Sequence, residues 1–302
     1  MFDLQAHRGG AGLVVENTLA AFRNALAIGV STLECDVNIT ADGVPVVTHD
    51  RILQATKIRD TAPVEPDDSE FPYVGRFVCR LSAAQLATLD CGSLTQPAFP
   101  GQRAVPGEPM PTFTQVLTLL DGVPDVRVNV EAKFDVLHPA ETAPRQTFVD
   151  TTVGAIVDAG LTDRVSIQSF DWQALRMVGW AEPRIRRYAL TNTAYLHVGQ
   201  DGRSPWLGGL DIDDVGGNVV HAVAKLGFDA LSPAYHPFVT PELVADANAA
   251  GILVVPYTVD EPDTLLAMID AGVDGVITNY PDRAREAMAA RGLALPAPAR
   301  AT

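Results

Sequence analysis

Positive charge is scarce in this sequence. Its 302 residues include 22 Lys and Arg against 37 Asp and Glu, which gives a formal net charge of −15. Nucleic acids and anionic membrane surfaces are bound by clustered cations. The charge balance therefore argues against a nucleic-acid partner and against stable membrane anchoring. An acidic chain that binds an anionic substrate needs either local cations or a metal ion.

Cysteines and long apolar runs are rare as well. The three cysteines, Cys35, Cys79 and Cys91, are odd in number and lack the paired spacing of a metal site, so we expect reduced thiols. No segment approaches the ~18 apolar residues of a membrane span, and no basic start followed by an apolar stretch indicates a signal peptide. These observations predict a cytoplasmic protein.

Phosphate-binding glycine motifs are also missing. No Gly-x-Gly-x-x-Gly follows a strand-like run, and there is no Walker-type loop. Nucleotide-binding folds therefore gain no support. No Ser or Cys nucleophile with a convincing base is visible either.

What the sequence does contain is an alternation of short β-branched runs with Ala- and Leu-rich stretches of helical period. Strands are predicted at Leu4-Ala6, Thr32-Asp36, Val126-Ala132, Val165-Ser169, Arg187-Leu190, Ala230-Ser232, Leu253-Thr258 and Gly275-Thr278. Helices are predicted at Asn17-Ile28, Thr112-Leu120, Thr151-Ala159, Trp172-Gly179, Val219-Leu226, Pro241-Ala250, Thr264-Ala271 and Asp282-Ala290. Eight βα repeats in a chain of this length predict a (β/α)8 TIM barrel, with a doubly wound open sheet as the alternative.

Residues 51–110 interrupt the alternation after the second barrel strand. This segment is rich in Gly and Pro and contains one short predicted helix near Ser82-Leu89. It has too little periodic apolar sequence for a core of its own, so we predict a loop-rich insertion within a single catalytic domain of residues 1–302. Just before it, Asp42-Gly43 is a strong turn signal, which predicts that Val44-Thr48 folds back as a hairpin arm.

Chemically active side chains follow the ends of the predicted strands, where TIM barrels place their active sites. Residues two apart in a strand share a face, so Glu34 and Asp36 point the same way, as do Glu131 and Lys133. The hairpin arm would return His49 to the same end of the barrel. The whole set is His7, Arg8, Glu34, Asp36, His49, Glu131 and Lys133.

Each of these residues alone has an ordinary explanation, such as a solvated carboxylate or a rim charge. Three carboxylates buried together need compensation, because like charges and desolvation both raise carboxyl pKa values. A divalent cation provides it, and all-oxygen ligands favour Mg²⁺ or Ca²⁺ over Zn²⁺. A metal, an arginine, a lysine and two histidines together suit phosphoryl transfer, with the imidazoles moving protons.

Several motifs carry a family resemblance that spans nearly the whole chain. They are His7-Arg8-Gly9, Glu16-Asn17-Thr18, Glu34-x-Asp36-Val37, Thr40-x-Asp42-Gly43, His49-Asp50, Gly107-Glu108-x-x-Pro111-Thr112, Glu131-x-Lys133, Gln168-Ser169-Phe170, Thr258-Val259 and Gly272-Val273-Asp274-Gly275-Val276-Ile277-Thr278. Together they resemble the glycerophosphodiester phosphodiesterase family, within the superfamily of phosphatidylinositol-specific phospholipase C-like barrels. The N-terminal motifs are the most specific.

The resemblance implies hydrolysis of a glycerophosphodiester, a small-molecule substrate, to glycerol 3-phosphate and an alcohol. Its implied roles are acid/base catalysis by His7 and His49, metal binding by Glu34, Asp36 and Glu131, and phosphate binding by Arg8 and Lys133. It leaves open which histidine is the acid and whether water or the substrate's 2-hydroxyl attacks phosphorus. The leaving alcohol, the physiological metal and the oligomeric state are equally open.

Three positions depart from the family pattern. Val15 stands where Pro is common, Tyr257 where many members have a Trp that lines the substrate site, and Asn279 where Asp is frequent. We expect none of the three to touch the metal or proton-transfer residues. Phe170 and Tyr257 are predicted to line the substrate pocket.

Two other functions are alternatives. A lysophospholipase D or sphingomyelinase D-like barrel shares the early His and Glu-x-Asp elements. The aromatic residues Phe71, Tyr73, Phe77 and Phe99 of the insertion would then line a lipid site, although anchoring of the loop is the favoured interpretation. A non-catalytic phosphodiester-binding barrel would have lost the catalytic histidines, and both are present.

Overall fold

Eight parallel strands and one antiparallel strand form the sheet of residues 2–300, the part of the chain that this computed structural model describes. The strands are β1 (Asp3–Ala6), β2 (Thr32–Ile39), β3 (Pro45–Val47), β4 (Arg127–Ala132), β5 (Val165–Ser169), β6 (Arg186–Thr191), β7 (Ala230–Pro233), β8 (Leu253–Val254) and β9 (Gly275–Thr278). Most strand residues are buried, as expected of a parallel sheet covered by helices.

The parallel strands nearly close into a barrel. Their order is β8-β7-β6-β5-β4-β2-β1-β9, and β1 pairs with β9. Between β9 and β8, the Asp274 N–H donates to the Val254 carbonyl and the Ile277 N–H to the Pro256 carbonyl, both at 2.9 Å. The predicted TIM barrel is confirmed. A doubly wound open sheet is wrong, because it would leave its two end strands unpaired.

Helices surround the barrel. They are α1 (Leu19–Ile28), α2 (Ala83–Leu86), α3 (Phe113–Thr118), α4 (Arg145–Phe148), α5 (Gly154–Asp158), α6 (Trp172–Ala181), α7 (Thr193–Leu196), α8 (Val219–Lys225), α9 (Tyr235–Phe238), α10 (Pro241–Ala250), α11 (Pro262–Asp270) and α12 (Pro281–Ala290). Short 3-10 helices span His7–Gly9, Val78–Arg80, Pro139–Glu141 and Ile212–Val215, and a π-helix spans Val149–Val153. The predicted helix at Thr151-Ala159 was wrong in its start, because α4, the π-helix and α5 run on from one another.

A side-chain cap decides where α1 begins. The Thr18 hydroxyl accepts a hydrogen bond from the Ala21 N–H at 3.1 Å, so the helix starts at Leu19 and not at the predicted Asn17. Asn17 has a φ of +56°, a conformation that Asn tolerates better than most residues. Asn17 thus lies before the helix, and its side chain is available at the active-site end of the barrel.

The last strand before β9 is shorter than predicted. The expected Leu253-Thr258 is a strand only over Leu253–Val254. Pro256 lacks an N–H and cannot donate to a neighbouring strand. The chain nevertheless follows β7, since the Tyr257 N–H donates to the Pro233 carbonyl at 3.0 Å.

The predicted hairpin arm is confirmed. β3 runs antiparallel to β2, with Val47 opposite Val37 and Pro45 opposite Ile39. The turn holds Gly43 at a φ of +81°, in agreement with the Asp-Gly signal. The arm carries the chain back toward the carboxyl end of β2, where His49 follows it.

The insertion has a small hydrophobic cluster, contrary to the expectation from its sequence. Val46 of β3 packs with eight insertion side chains that follow no helical or strand period in the sequence: Leu53, Ile58, Tyr73, Val78, Leu81, Leu86, Leu89 and Met110. Tyr73 is fully buried, and its hydroxyl donates to Asp68 Oδ2 at 2.6 Å. This supports the anchoring interpretation for Tyr73. The assignment to a single domain stays a prediction.

Gly9 permits the close approach of the first loop to α1. Its φ is +82°, and a Cβ at this position would lie 2.8 Å from the Ala21 Cβ. Gly9→Ala should lower the free energy of unfolding by about 2–3 kcal/mol, because steric overlap adds to the strain of a positive φ. Gly43→Ala is the matched control, since Gly43 also has a positive φ but no atom of residues 2–300 within 4 Å of such a Cβ. We expect it to lose only about 1 kcal/mol. Urea denaturation measures both, and equal losses would contradict the overlap.

Among residues 2–300, none of the helices has the length and apolar character that crossing a bilayer requires. The cytoplasmic location stays a prediction.

Candidate active site

Three carboxylates converge at the carboxyl ends of β2 and β4. Oxygens of Glu34, Asp36 and Glu131 lie within 4.8 Å of one another, and all three residues are buried. The parallel pairing of β2 with β4 places Asp36 beside Glu131. The sequence prediction that these residues meet is therefore matched by the geometry. We call these three residues the carboxylate cluster.

Arg8 is bound to this cluster through both its backbone and its side chain. It has a φ of +52°, and its N–H donates to Glu34 Oε2 at 2.8 Å. Its Nε lies 3.1 Å from Asp36 Oδ2 and its Nη1 3.1 Å from Glu16 Oε2. A positive φ is uncommon for a residue with a side chain, and residues in such strained conformations cluster at active sites.

The two carboxylates of β2 have opposite electrostatic environments. Burial, with Asp36 and Glu131 nearby, raises the pKa of Glu34 well above its usual value. Burial also opposes ionisation of Asp36, but the neighbouring positive charges, that of Arg8 first among them, together outweigh it and hold the pKa of Asp36 well below its usual range. The ionised form of Glu34 is thus the less compensated of the two.

The cluster fits a hard divalent cation. Its donors are all carboxylate oxygens, which Mg²⁺ and Ca²⁺ prefer. Asp36 Oδ1 is buried and accepts no hydrogen bond from any of residues 2–300. A buried acceptor without a donor is unfavourable unless another group satisfies it. Other partners already fix the orientation of the side chains, since Gln168 Nε2 donates to Glu34 Oε1 and Asn17 Nδ2 donates to Asp36 Oδ2, both at 2.8 Å.

Lys133, directly after β4, brings a positive charge to the carboxylate cluster. Its Nζ lies 2.6 Å from Glu131 Oε1 and 3.5 Å from Asp36 Oδ1. Burial opposes its charge, yet the neighbouring carboxylates raise the pKa of Lys133 above its usual value. Lys133 and Arg8 therefore bring two cations to the carboxylate cluster, and their predicted role in phosphate binding stays a prediction.

His7 is held by Asn279, contrary to the expectation that the Asn279 departure touches no proton-transfer residue. The Asn279 Oδ1 lies 2.7 Å from His7 Nδ1. The amide Nδ2 of Asn279 donates to Asp260 Oδ2 at 2.7 Å, and its backbone N–H donates to Asp260 Oδ1 at 2.8 Å. Because a carboxylate only accepts, this contact fixes the amide oxygen toward His7, which must donate through Nδ1–H. The Nε2 lone pair of neutral His7 is then free.

Burial favours that neutral form. It lowers the pKa of His7 to about 3, with the Arg8 charge as the second cause. Sequence reasoning missed Asn279 and Asp260 because they lie far along the chain, Asn279 being 272 positions from His7. The only available signal was the departure from Asp at position 279.

His49 has a different partner. Its Nδ1 lies 2.8 Å from Asp50 Oδ1, and about a third of its side chain is exposed. The two histidines thus differ, since a neutral amide holds His7 and a carboxylate holds His49.

The predicted pocket residues lie on an aromatic wall. Phe170 lines a cavity of ≈380 Å³ together with His49 and Lys133. Tyr257 packs edge-on against Phe170 with a centroid separation of 5.8 Å. Tyr195 and Trp206 extend the wall; Tyr195 lies in α7 and Trp206 in the loop after it, where the sequence offered no motif.

Asn279→Ala should lower kcat about tenfold with little change in KM, since residues that orient a reactive group through a second contact typically contribute 10–100-fold. The change removes the acceptor for His7 Nδ1–H without touching a carboxylate of the cluster. Steady-state kinetics measure it, and Asn248→Ala on the exposed part of α10 is the control. An unchanged kcat would contradict the orienting role.

Comparison with known proteins agrees with this geometry. The model of the glycerophosphoryl diester phosphodiesterase family matches residues 7–283. The chain is 30% identical to the glycerophosphodiester phosphodiesterase of Caldanaerobacter subterraneus subsp. tengcongensis over 278 residues, 92% of this chain and 93% of the relative. It is also 30% identical to the "Probable glycerophosphodiester phosphodiesterase 2" of Mycobacterium tuberculosis, over 95% of this chain and 90% of that protein.

A solved structure is similar over nearly the same range. The crystal structure of the "Putative glycerophosphoryl diester phosphodiesterase" from Silicibacter pomeroyi DSS-3 superimposes with a TM-score of 0.82 and 30% identity, covering 97% of this chain and 95% of the other. The family resemblance predicted from the sequence motifs is confirmed. The chain belongs to the glycerophosphoryl diester phosphodiesterase family and is an enzyme of the phosphoric diester hydrolase class.

Proposed function

We propose that this enzyme hydrolyses small glycerophosphodiesters to glycerol 3-phosphate and an alcohol, with a divalent cation at the carboxylate cluster and two histidines as the proton-transfer pair. The observation that carries the proposal is the meeting of three buried carboxylates with His7, His49 and two cations at one end of the barrel. The family and the activity named for the Caldanaerobacter relative agree with it.

Glu34, Asp36 and Glu131 would hold the cation, Mg²⁺ or Ca²⁺. When bound, it would add positive charge next to the non-bridging oxygens of the phosphodiester. Lys133 would no longer have to compensate Glu131 alone, so its ammonium and the Arg8 guanidinium would bind phosphate.

His7 would be the general base and His49 the general acid. The Nδ1–H of His7 donates to Asn279, which leaves Nε2 to accept a proton from the attacking hydroxyl as the new P–O bond forms. Asp50 holds His49 through Nδ1, so the Nε2–H of His49 would pass its proton to the leaving alkoxide as the other P–O bond breaks. Each histidine then ends in the opposite protonation state, and two proton transfers restore them.

Phe170 and Tyr257 would form the wall against which the substrate packs. Phe170 lines the cavity shared with His49, and Tyr257 packs against Phe170, so the part of the substrate in contact with Phe170 would lie in the same cavity as the proposed acid. Apolar and aromatic lining with a few polar groups is the usual composition of small-molecule sites.

The test is glycerol 3-phosphate release from glycerophosphocholine and glycerophosphoethanolamine, with and without EDTA. We expect release that EDTA abolishes and that Mg²⁺ or Ca²⁺ restores. Full activity in a rigorously metal-free sample would show that the reaction does not need the proposed metal. Appearance of a cyclic glycerophosphate would identify attack by the substrate's own 2-hydroxyl, whereas direct formation of glycerol 3-phosphate would identify water.

Lysophospholipids belong in the same assay, because they distinguish a lysophospholipase D from a glycerophosphodiesterase. Faster release of the alcohol from lysophosphatidylcholine than from glycerophosphocholine would favour that alternative. Binding of either diester without turnover over hours, with metal supplied, would favour the non-catalytic barrel.

A further inference from the structure

Lys57 lies in the insertion, outside the barrel, yet it contacts two loops of the active site. Its Nζ is 2.9 Å from Asp50 Oδ2 and 3.0 Å from Glu16 Oε1. Asp50 follows the β3 hairpin arm, whereas Glu16 lies between β1 and α1. One ammonium therefore joins two segments that no strand pairing connects directly.

Each carboxylate bound by Lys57 also holds a residue of the site. Asp50 uses its other oxygen, Oδ1, to bind His49 Nδ1 at 2.8 Å. Glu16 binds the Arg8 Nη1 through Oε1 and Oε2 at 3.2 and 3.1 Å. The result is a continuous chain of charged contacts from His49 to the guanidinium that lies against Asp36.

Partial burial makes these contacts stronger than ordinary surface ion pairs. The side chains of Lys57, Glu16 and Asp50 are 24%, 10% and 25% exposed. Exposed pairs contribute little to stability, while pairs shielded from water are screened less. Burial opposes the charge of Lys57, yet Glu16 and Asp50 raise its pKa above the usual value. The ammonium is therefore charged and engaged with both carboxylates.

The insertion fixes the position of Lys57. Its backbone N–H donates to the Gln54 carbonyl at 2.9 Å, and the next residue, Ile58, is buried in the insertion's hydrophobic cluster. Arg59 then pairs with Asp90 through backbone hydrogen bonds of 3.0 Å in both directions. A lysine held on both sides in this way loses less side-chain freedom on binding than one on a mobile loop.

We propose that Lys57 is a positioning residue, which fixes Asp50 so that Asp50 in turn holds His49 at the angle required for proton transfer. The insertion then has a function in catalysis without contacting the substrate. The kinetic consequences rest on the proposed function, while the contact between Lys57 and Asp50 does not.

The test compares Lys57→Met, which keeps the length but removes the charge, with Lys57→Arg and with the control Lys225→Met at the exposed end of α8. We expect Lys57→Met to lower kcat about tenfold with KM changed less than threefold, as for other residues that orient a reactive group. Lys57→Arg should restore most of kcat, and Lys225→Met should have no effect. If Lys57→Met does not fold, Lys57→Gln replaces it.

A double-mutant cycle with Asp50→Asn decides whether Lys57 acts through Asp50. If it does, Lys57→Met should reduce kcat less than twofold further in the Asp50→Asn background, since coupled residues are non-additive. If the reductions of kcat in the two single variants multiplied fully in the double variant, the proposal would be overturned. A wild-type kcat in Lys57→Met would overturn it as well.

An imidazole NMR measurement keeps this test separate from the proposed function. The His49 ring signals, assigned by their loss in His49→Ala, should shift in Lys57→Met and stay in place in Lys225→Met, without any substrate. Unchanged His49 signals would overturn the positioning role whatever the kinetics. If the wild-type enzyme hydrolyses no glycerophosphodiester but the signals shift, the proposed function fails and the positioning of His49 by Lys57 stands.

Discussion

Replacing His49 by alanine is expected to lower kcat about a thousandfold, because a positioned general acid contributes roughly 10²–10⁴-fold. The fold should survive, since about a third of the His49 side chain is exposed. Metal affinity should also survive, because His49 is not part of the carboxylate cluster. The measurements are steady-state glycerol 3-phosphate release, calorimetric metal titration and thermal unfolding.

His221→Ala is the control for this experiment. His221 lies on α8 with a side chain 55% exposed, outside the active site. Its variant should keep wild-type kcat. If His49→Ala also kept wild-type kcat, the proton-transfer role of His49 would be wrong.

Substrates with different leaving groups then show which histidine is the general acid and which is the general base. A glycerophosphodiester of p-nitrophenol needs little protonation of its leaving oxygen, whereas a diester of choline needs it fully. The fold-loss of activity in His49→Ala should therefore be at least ten times smaller on the nitrophenyl diester than on the choline diester. In His7→Ala the fold-loss should be the same on both substrates. The reverse pattern would exchange the proposed roles of the two histidines.

Replacing Glu34 by glutamine is expected to reduce activity at least a hundredfold, because it removes one anionic ligand from a cluster built for a hard cation. Glu34 is completely buried, and Arg8 and Gln168 already hold its two oxygens. The isosteric amide therefore changes the charge while the space around it stays filled.

The stability of the metal-free protein should change in the opposite direction. The raised pKa of Glu34 arises from burial and from the charges of Asp36 and Glu131. Removal of that charge relieves like-charge repulsion, so Glu34→Gln should unfold at the same or a higher temperature in EDTA. Added Mg²⁺ or Ca²⁺ should raise the melting temperature of the wild type but not of the variant.

Glu286→Gln is the matched control, since Glu286 is exposed on α12. It should leave both activity and the metal-dependent stabilisation unchanged. Wild-type metal affinity in Glu34→Gln would remove Glu34 from the ligand set.

The barrel and the main polar residues of the site were accessible to sequence reasoning for a local reason. Strand and helix periods are visible within short windows, and parallel strands carry their last residues to one end of the barrel. Glu34 and Asp36 share a strand face because they are two residues apart, and β4 places Glu131 beside them through its register. The Asp-Gly turn likewise predicted the return of the chain toward His49.

Only the tertiary structure decided how the histidines are held. His7 and Asn279 meet across the closure of the barrel, where β9 pairs with β1, and no local pattern records that contact. Lys57 reaches Asp50 and Glu16 because a non-periodic loop packs a hydrophobic cluster against β3. Such contacts depend on packing between distant segments, and a one-dimensional pattern carries no information about which distant side chain fills a given space. The sequence by itself thus determined the barrel and the residues proposed to carry the chemistry, and the packed structure determined which distant side chains contact them.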